Sequence, residues 1–137
     1  MSESPAPTPH DPPPQVRAIV VDEDEYSAKL LSFLLYDEGC DVRIAPTAEA
    51  GLRMAKAFLP QLVVLEPVLH GMSGVTLARE LKSISGSQDI VVIAVTVSRS
   101  LSTAKAALDA GCSACTQKPV DVALFGRWAL GFLNRVP

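Results

Sequence analysis

An α/β fold, with a parallel sheet wound on both faces by helices, is what the sequence predicts, and three observations predict it. Five short apolar runs recur along the chain, segments of helical period separate them, and four of the runs lack the alternation of a half-solvated strand. Strands covered on both faces lose that alternation because each side chain meets a helix whichever way it points. The runs are Ala18 to Val21, Val42 to Ala45, Leu62 to Leu65, Ile90 to Val95 and Ala114 to Thr116, the last being the weakest.

Between the runs, Leu31, Leu34 and Leu35 form a first helical stripe, and Ala48, Leu52, Ala55 and Leu59 a second at steps of four, three and four. Leu77, Leu81 and Ile84 give a third, Ala104 with Leu108 a fourth, and Phe125, Trp128, Ala129 and Phe132 a fifth. Gly39 and Gly111 suit the position after a helix where φ turns positive, and Pro60 stops the second helix before the third strand. Five βα units result. With right-handed crossovers, the ligand site of such a sheet lies at the C-terminal ends of its strands, near the point where strand order reverses.

Composition narrows the functions. A chain of 137 residues supplies one core and one site, and 48% hydrophobic with 20% charged residues is ordinary for a globular domain. A net charge of −3 without a Lys/Arg run argues against nucleic acid as a direct partner. No apolar stretch reaches membrane-spanning length, and the N-terminus lacks the basic-then-apolar order of a signal peptide. Together with an odd count of three cysteines, this makes a cytoplasmic location the expectation. Residues 1–15 hold six of the eleven prolines and read as a disordered leader, in which a solvated tail is favoured over a proline-rich ligand and His10 takes no role. The folded domain is expected over residues 16–134.

The strand ends carry the chemistry. Strand one runs into Asp22, Glu23, Asp24 and Glu25, which on their own are explained as carboxylates near a helix N-terminus. Strand three, however, ends in Glu66, strand four in Thr96, and strand five is followed by Lys118-Pro119. Clustered carboxylates call for a cation: Lys118 is a fixed ammonium, and Asp22, Glu23 and Glu66 are candidate ligands for a hard divalent ion. Thr96 adds a hydroxyl able to donate to an anionic oxygen, which completes a phosphoryl-transfer or phosphate-sensing set.

That ordered set resembles the receiver domain of two-component response regulators. The matching residues are Val21-Asp22-Glu23, Leu65-Glu66 with Gly71-Met72-Ser73-Gly74 behind it, Thr96, and Lys118-Pro119. The resemblance implies a flavodoxin-like (βα)5 fold with strand order 2-1-3-4-5 and a cis peptide before Pro119. It implies Mg2+ on the acidic pair, a histidine kinase as phosphodonor, and Thr96 and Lys118 contacting the phosphoryl group. It also implies output to a protein partner or a second copy through the face of the fourth helix, fifth strand and fifth helix.

Four departures modify that expectation. Glu66 stands where the family carries its phospho-accepting aspartate, which moves the carboxylate outward by one methylene, roughly 1.5 Å, and a misplacement of about 1 Å costs on the order of 100-fold in an in-line reaction. The longer acid can instead offer Thr96 and Lys118 a permanent anion with about half a phosphate's charge. Cys115 occupies the place of the aromatic residue whose rotation reports phosphorylation, and Val97 that of a small residue after the threonine. Pro67 and His70 also differ from common choices in the loop after strand three, and His70 is expected to be an exposed loop residue.

The function expected is therefore a non-enzymatic, phosphorylation-independent receiver acting as a signalling and protein-interaction module. Because no effector domain follows Leu133, its output is expected through another chain. Three other readings compete. Asp22 and Asp24 form a D-x-D pair like that of haloacid-dehalogenase phosphatases, although only Asp121 follows Lys118 where that family needs a further acidic pair and Tyr26 replaces its usual Thr or Val. Cys112 and Cys115 form a C-x-x-C that a redox or metal role would use, but it follows a helix instead of opening one and has no second pair. Phosphorylation on the neighbouring Asp24 is the third. Trp128 on the fifth helix is read equally as a partner anchor and as a packing residue.

Overall fold

The computed structural model describes residues 15–84 and 89–133. The leader expected over 1–15 lies outside the described residues except for Gln15, and so does residue 134 at the expected end of the domain. Ten elements follow in strict alternation: β1 (Arg17–Val21), α1 (Glu25–Asp37), β2 (Asp41–Ala45), α2 (Ala48–Phe58), β3 (Leu62–Leu65), α3 (Gly74–Ser83), β4 (Val91–Thr96), α4 (Leu101–Asp109), β5 (Ala114–Gln117) and α5 (Phe125–Leu130). The five strands form one parallel sheet in the order β2-β1-β3-β4-β5, so the expected topology is the observed one.

Alternate residues of the central strands divide between two cores. Val21, Val63, Leu65, Val92 and Ala94 point to one face, where Ala48, Ala55, Leu77, Leu81 and Ala107 cover them from α2, α3 and α4. Ala18, Val20, Val64, Ile93 and Val95 point to the other, against Ala28, Leu31 and Leu35 of α1 and Phe125 and Ala129 of α5. At about 1.5–3 kcal/mol for each large apolar side chain removed from water, these two layers dominate the stability of the fold. Side-chain caps start four of the helices: Asp24 accepts from the amide of Ser27, Thr47 from Ala50, Ser73 from Thr76 and Ser100 from Ser102.

Three helical stripes differ from expectation. Leu59 ends α2 in the left-handed conformation, φ 54, and is largely exposed, while the buried face is Ala48, Gly51 and Ala55. A Cβ at Gly51 would lie 2.8 Å from the Val21 side chain, so this face is built from small residues to let α2 sit close over β1. On α4 the buried position is Ala107, with Leu108 about half exposed, because an alanine-rich helix packs on whichever face reaches the sheet. Past α5, Phe132 meets the Trp128 ring edge-on at 5.1 Å, and both rings remain partly in solvent while Phe125 and Ala129 are buried. No described helix is long and apolar enough to cross a membrane.

Candidate functional site

The sheet register brings the ends of β1, β3 and β4 to one rim, with Val21 opposite Leu65 and Leu65 opposite Ala94. Each ladder continues one step beyond its strand: the amide of Asp22 donates to the carbonyl of Ala45, Glu66 to Val21 and Lys118 to Thr96. The functional side chains are thus anchored on sheet backbone instead of free loop. A Cβ at Gly74 would fall on the carbonyl oxygen of Glu66, so only glycine lets α3 begin this close to the site.

Asp22, Glu66 and Thr96 are the buried polar or charged residues among those described, at 3%, 4% and 2% exposure. Burying two carboxylates is costly unless each oxygen is met. Glu66 meets that requirement with three hydrogen-bond donors and a nearby ammonium. Its Oε1 accepts from the Thr96 hydroxyl at 2.6 Å and the Val68 amide at 3.0 Å. Its Oε2 accepts from the Val97 amide at 3.2 Å and lies 3.4 Å from Lys118 Nζ. Lys118 Nζ also donates to Asp22 Oδ2 at 2.6 Å, and Asp22 Oδ1 accepts from the Asp24 amide at 2.9 Å. The Ser98 amide donates to Thr96 Oγ1 at 3.0 Å, leaving the hydroxyl proton for Glu66. Among the described residues no buried side-chain nitrogen or oxygen lacks a partner.

The rest of the acidic run is drawn elsewhere. Glu23 faces His70, whose Nδ1 lies 2.8 and 2.9 Å from its two oxygens and whose amide donates to Oε2 at 3.4 Å. The hydrogen bond from His70 holds the Glu23 carboxyl below its ordinary pKa, and the same contact raises His70 above 6.5. Asp24 accepts from the Ser27 hydroxyl at 2.7 Å as the cap of α1, which lowers its pKa. Asp121 likewise accepts from the Ala123 amide at 2.9 Å, just ahead of α5. Among the described residues no group of three or more His, Cys, Asp or Glu side chains is arranged to hold a metal ion. Of the three carboxylates expected as metal ligands, Asp22 and Glu66 are bridged by the Lys118 ammonium, while Glu23, which lines a cavity of about 380 Å3 together with Asp22, is held by His70.

The two cysteines do not carry the marks of a redox pair. Burial pushes the Cys112 thiol up to about 11, and burial together with the nearby Glu66 carboxylate raises Cys115, whereas a reactive thiol needs a lowered pKa. Three participants were not read from the sequence. Val68 and Val97 act through backbone amides, which every residue but proline possesses, and His70 finds Glu23 across 47 positions of chain.

The chain is similar to known proteins over most of this fold. Residues 18–125 match the response regulator receiver domain. An uncharacterized 14.6 kDa protein encoded in the sodA1 3′ region of Leptolyngbya boryana is 33% identical over 107 residues, 78% of this chain and 82% of that one. The response regulator PleD of Caulobacter vibrioides is 33% identical over 112 residues, covering 81% of this chain but spanning only 25% of PleD. A CheY-like receiver domain protein from Methanospirillum hungatei shares the fold with a TM-score of 0.73 and 28% identity, over 80% of this chain and 86% of that one. A single parallel sheet in the order β2-β1-β3-β4-β5, covered by helices on both faces, and this family match lead to one conclusion: the chain belongs to the response regulator receiver domains, which act as non-catalytic signalling modules.

Proposed function

We propose that this receiver works without phosphorylation, with Glu66 in place of the phospho-accepting aspartate and serving as a built-in anion. The observation that carries the reading is the saturation of Glu66: a hydroxyl, two amides and an ammonium already converge on its two oxygens. A phosphoryl group arriving at Glu66 would have to displace donors that the carboxylate holds in the ground state. Cys115 supports the same reading, because a small, partly buried side chain packed against the core has no ring to swing between two positions.

In this reading the chain is a protein-interaction module of a two-component pathway in the cytoplasm, and α4, β5 and α5 form its output face toward a protein partner or a second copy. That face carries a groove of about 560 Å3 lined by Thr116, Gln117, Leu124, Phe125 and Trp128, among others. Trp128 is 38% exposed there, a half-open aromatic suited to anchoring an interface.

Intact-mass measurement after treatment with acetyl phosphate and Mg2+ tests the reading. The native chain is expected to stay unmodified with and without Mg2+. Stoichiometric labelling of native Glu66, or of Asp24, would rule it out.

A further inference from the structure

Among the described residues, every buried carboxylate oxygen of the site has a protein partner. Lys118 Nζ sits 2.6 Å from Asp22 Oδ2 and 3.4 Å from Glu66 Oε2, and its side chain is 14% exposed. Two carboxylates buried this deeply repel unless a positive charge stands between them, and the ammonium stands there. The remaining oxygens have protein donors: the Asp24 amide on Asp22, and Thr96, Val68 and Val97 on Glu66. Glu23, the third carboxylate of the segment, is held outward by His70.

We propose that Lys118 is the resident cation of this site and excludes divalent metal from it, so that the receiver is metal-independent. The inference deepens the function proposed above and rests on the same reading of Glu66. A divalent ion needs several oxygen ligands around it. Entering here, it would have to expel an ammonium that is covalently tethered, leaves no concentration-dependent vacancy and already satisfies both acids. The tether comes from the end of β5, whose Lys118 amide is itself pinned to Thr96 at 2.8 Å. Moving the ammonium away therefore requires the side chain to leave its burial while the backbone stays fixed.

The test is a Mn2+ titration of the full chain followed by the loss of the free-ion electron paramagnetic resonance signal. Native protein is expected to bind no Mn2+ at the rim up to millimolar concentrations. Lys118→Met keeps the stem but removes the charge, and it is expected to gain at least about tenfold in Mn2+ affinity as Asp22 and Glu66 seek a replacement cation. His70→Ala frees Glu23 yet leaves the ammonium, and it is expected to behave as native. Saturable Mn2+ binding by the native chain that Asp22→Asn abolishes would overturn the proposal, as would equal gains in His70→Ala and Lys118→Met. The native titration decides even if Lys118→Met does not fold. Phosphodonor labelling of the same native sample separates the two ideas: metal bound with no label sinks metal independence alone, while a labelled Glu66 sinks the reading beneath it.

Discussion

Thr96 gives its hydroxyl proton to Glu66 across 2.6 Å, and both side chains are all but closed to solvent. The contact joins the ends of β3 and β4, and the Ser98 amide behind it fixes which way the hydroxyl points. Thr96→Val should strip one donor from Glu66 and leave the Ser98 amide without its acceptor. A loss of about 2–3 kcal/mol in urea unfolding is expected, since buried groups left unsatisfied cost about 1–3 kcal/mol each. Thr96→Ser keeps the hydroxyl and should lose less than about 1 kcal/mol, for one methyl group. Equal losses in the two variants would show that the hydrogen bond contributes nothing.

Gly74→Ala tests how tightly α3 abuts the site. The new methyl would collide with the Glu66 carbonyl and crowd the Pro67 backbone. Backbone cannot yield as a flexible side chain can, so a destabilisation of about 2–3 kcal/mol is expected, toward the upper end of overpacking costs. The Val68 and Val97 amide resonances should shift as Glu66 is pushed from its donors. The same substitution at Gly39, which has open space around it but a φ of 94, should cost stability without disturbing those resonances.

The Glu23–His70 pair makes a pH prediction with a definite sign. His70 is raised above 6.5 when folded, so its contribution is complete below 6.5 and fades as pH rises through the folded value. Glu23 is lowered below 4.5, so its contribution is complete above 4.5 and fades as pH falls through its folded value. The charged pair therefore persists in the window between those two folded values. Proton NMR of the His70 ring should give a midpoint above 6.5 that returns toward 6.5 in Glu23→Gln. An unchanged midpoint in that variant would dissociate the two residues.

Cys112 should be almost inert. With its thiol raised to about 11, roughly one molecule in a thousand carries the thiolate at pH 8, against about one in ten for an ordinary thiol at 9.0. Ellman's reagent should modify it at a normal rate only after unfolding. Rapid reaction in the native state would reopen a redox role for the C-x-x-C.

The central strands β1, β3 and β4 were legible to within a residue because continuous Val, Ile and Leu can be buried on both sides only in such a sheet, whereas β2, half exposed, and β5, Ala-Cys-Thr-Gln, were placed by the helical segments around them. The helices were less legible where packing depends on small residues. Gly51 and Ala107 carry no hydrophobic weight, yet they are the positions that touch the sheet, and Leu59 and Leu108 drew attention that the fold does not give them. At the rim, the ends of β1, β3, β4 and β5 bring Asp22, Glu66, Thr96 and Lys118 into contact, since topology alone brings those ends to one edge. Glu23 did not follow its neighbour inward. Adjacent residues leave a strand end in different directions, and the partner that captured Glu23 sits on another loop.

The four consecutive acids from Asp22 to Glu25 look, in the sequence, like a block of negative charge. In the fold each has its own companion: Lys118 at 2.6 Å, the His70 ring at 2.8 Å, the Ser27 hydroxyl at 2.7 Å and Lys29 at 2.8 Å. The serine hydroxyl leaves Asp24 its full charge, and the Lys118 ammonium is shared with Glu66, so the pairings do not cancel the block. Within about one Debye length, ~8 Å at physiological ionic strength, the rim presents a net negative field. The encounter rate of a positively charged partner there should therefore fall as salt is added.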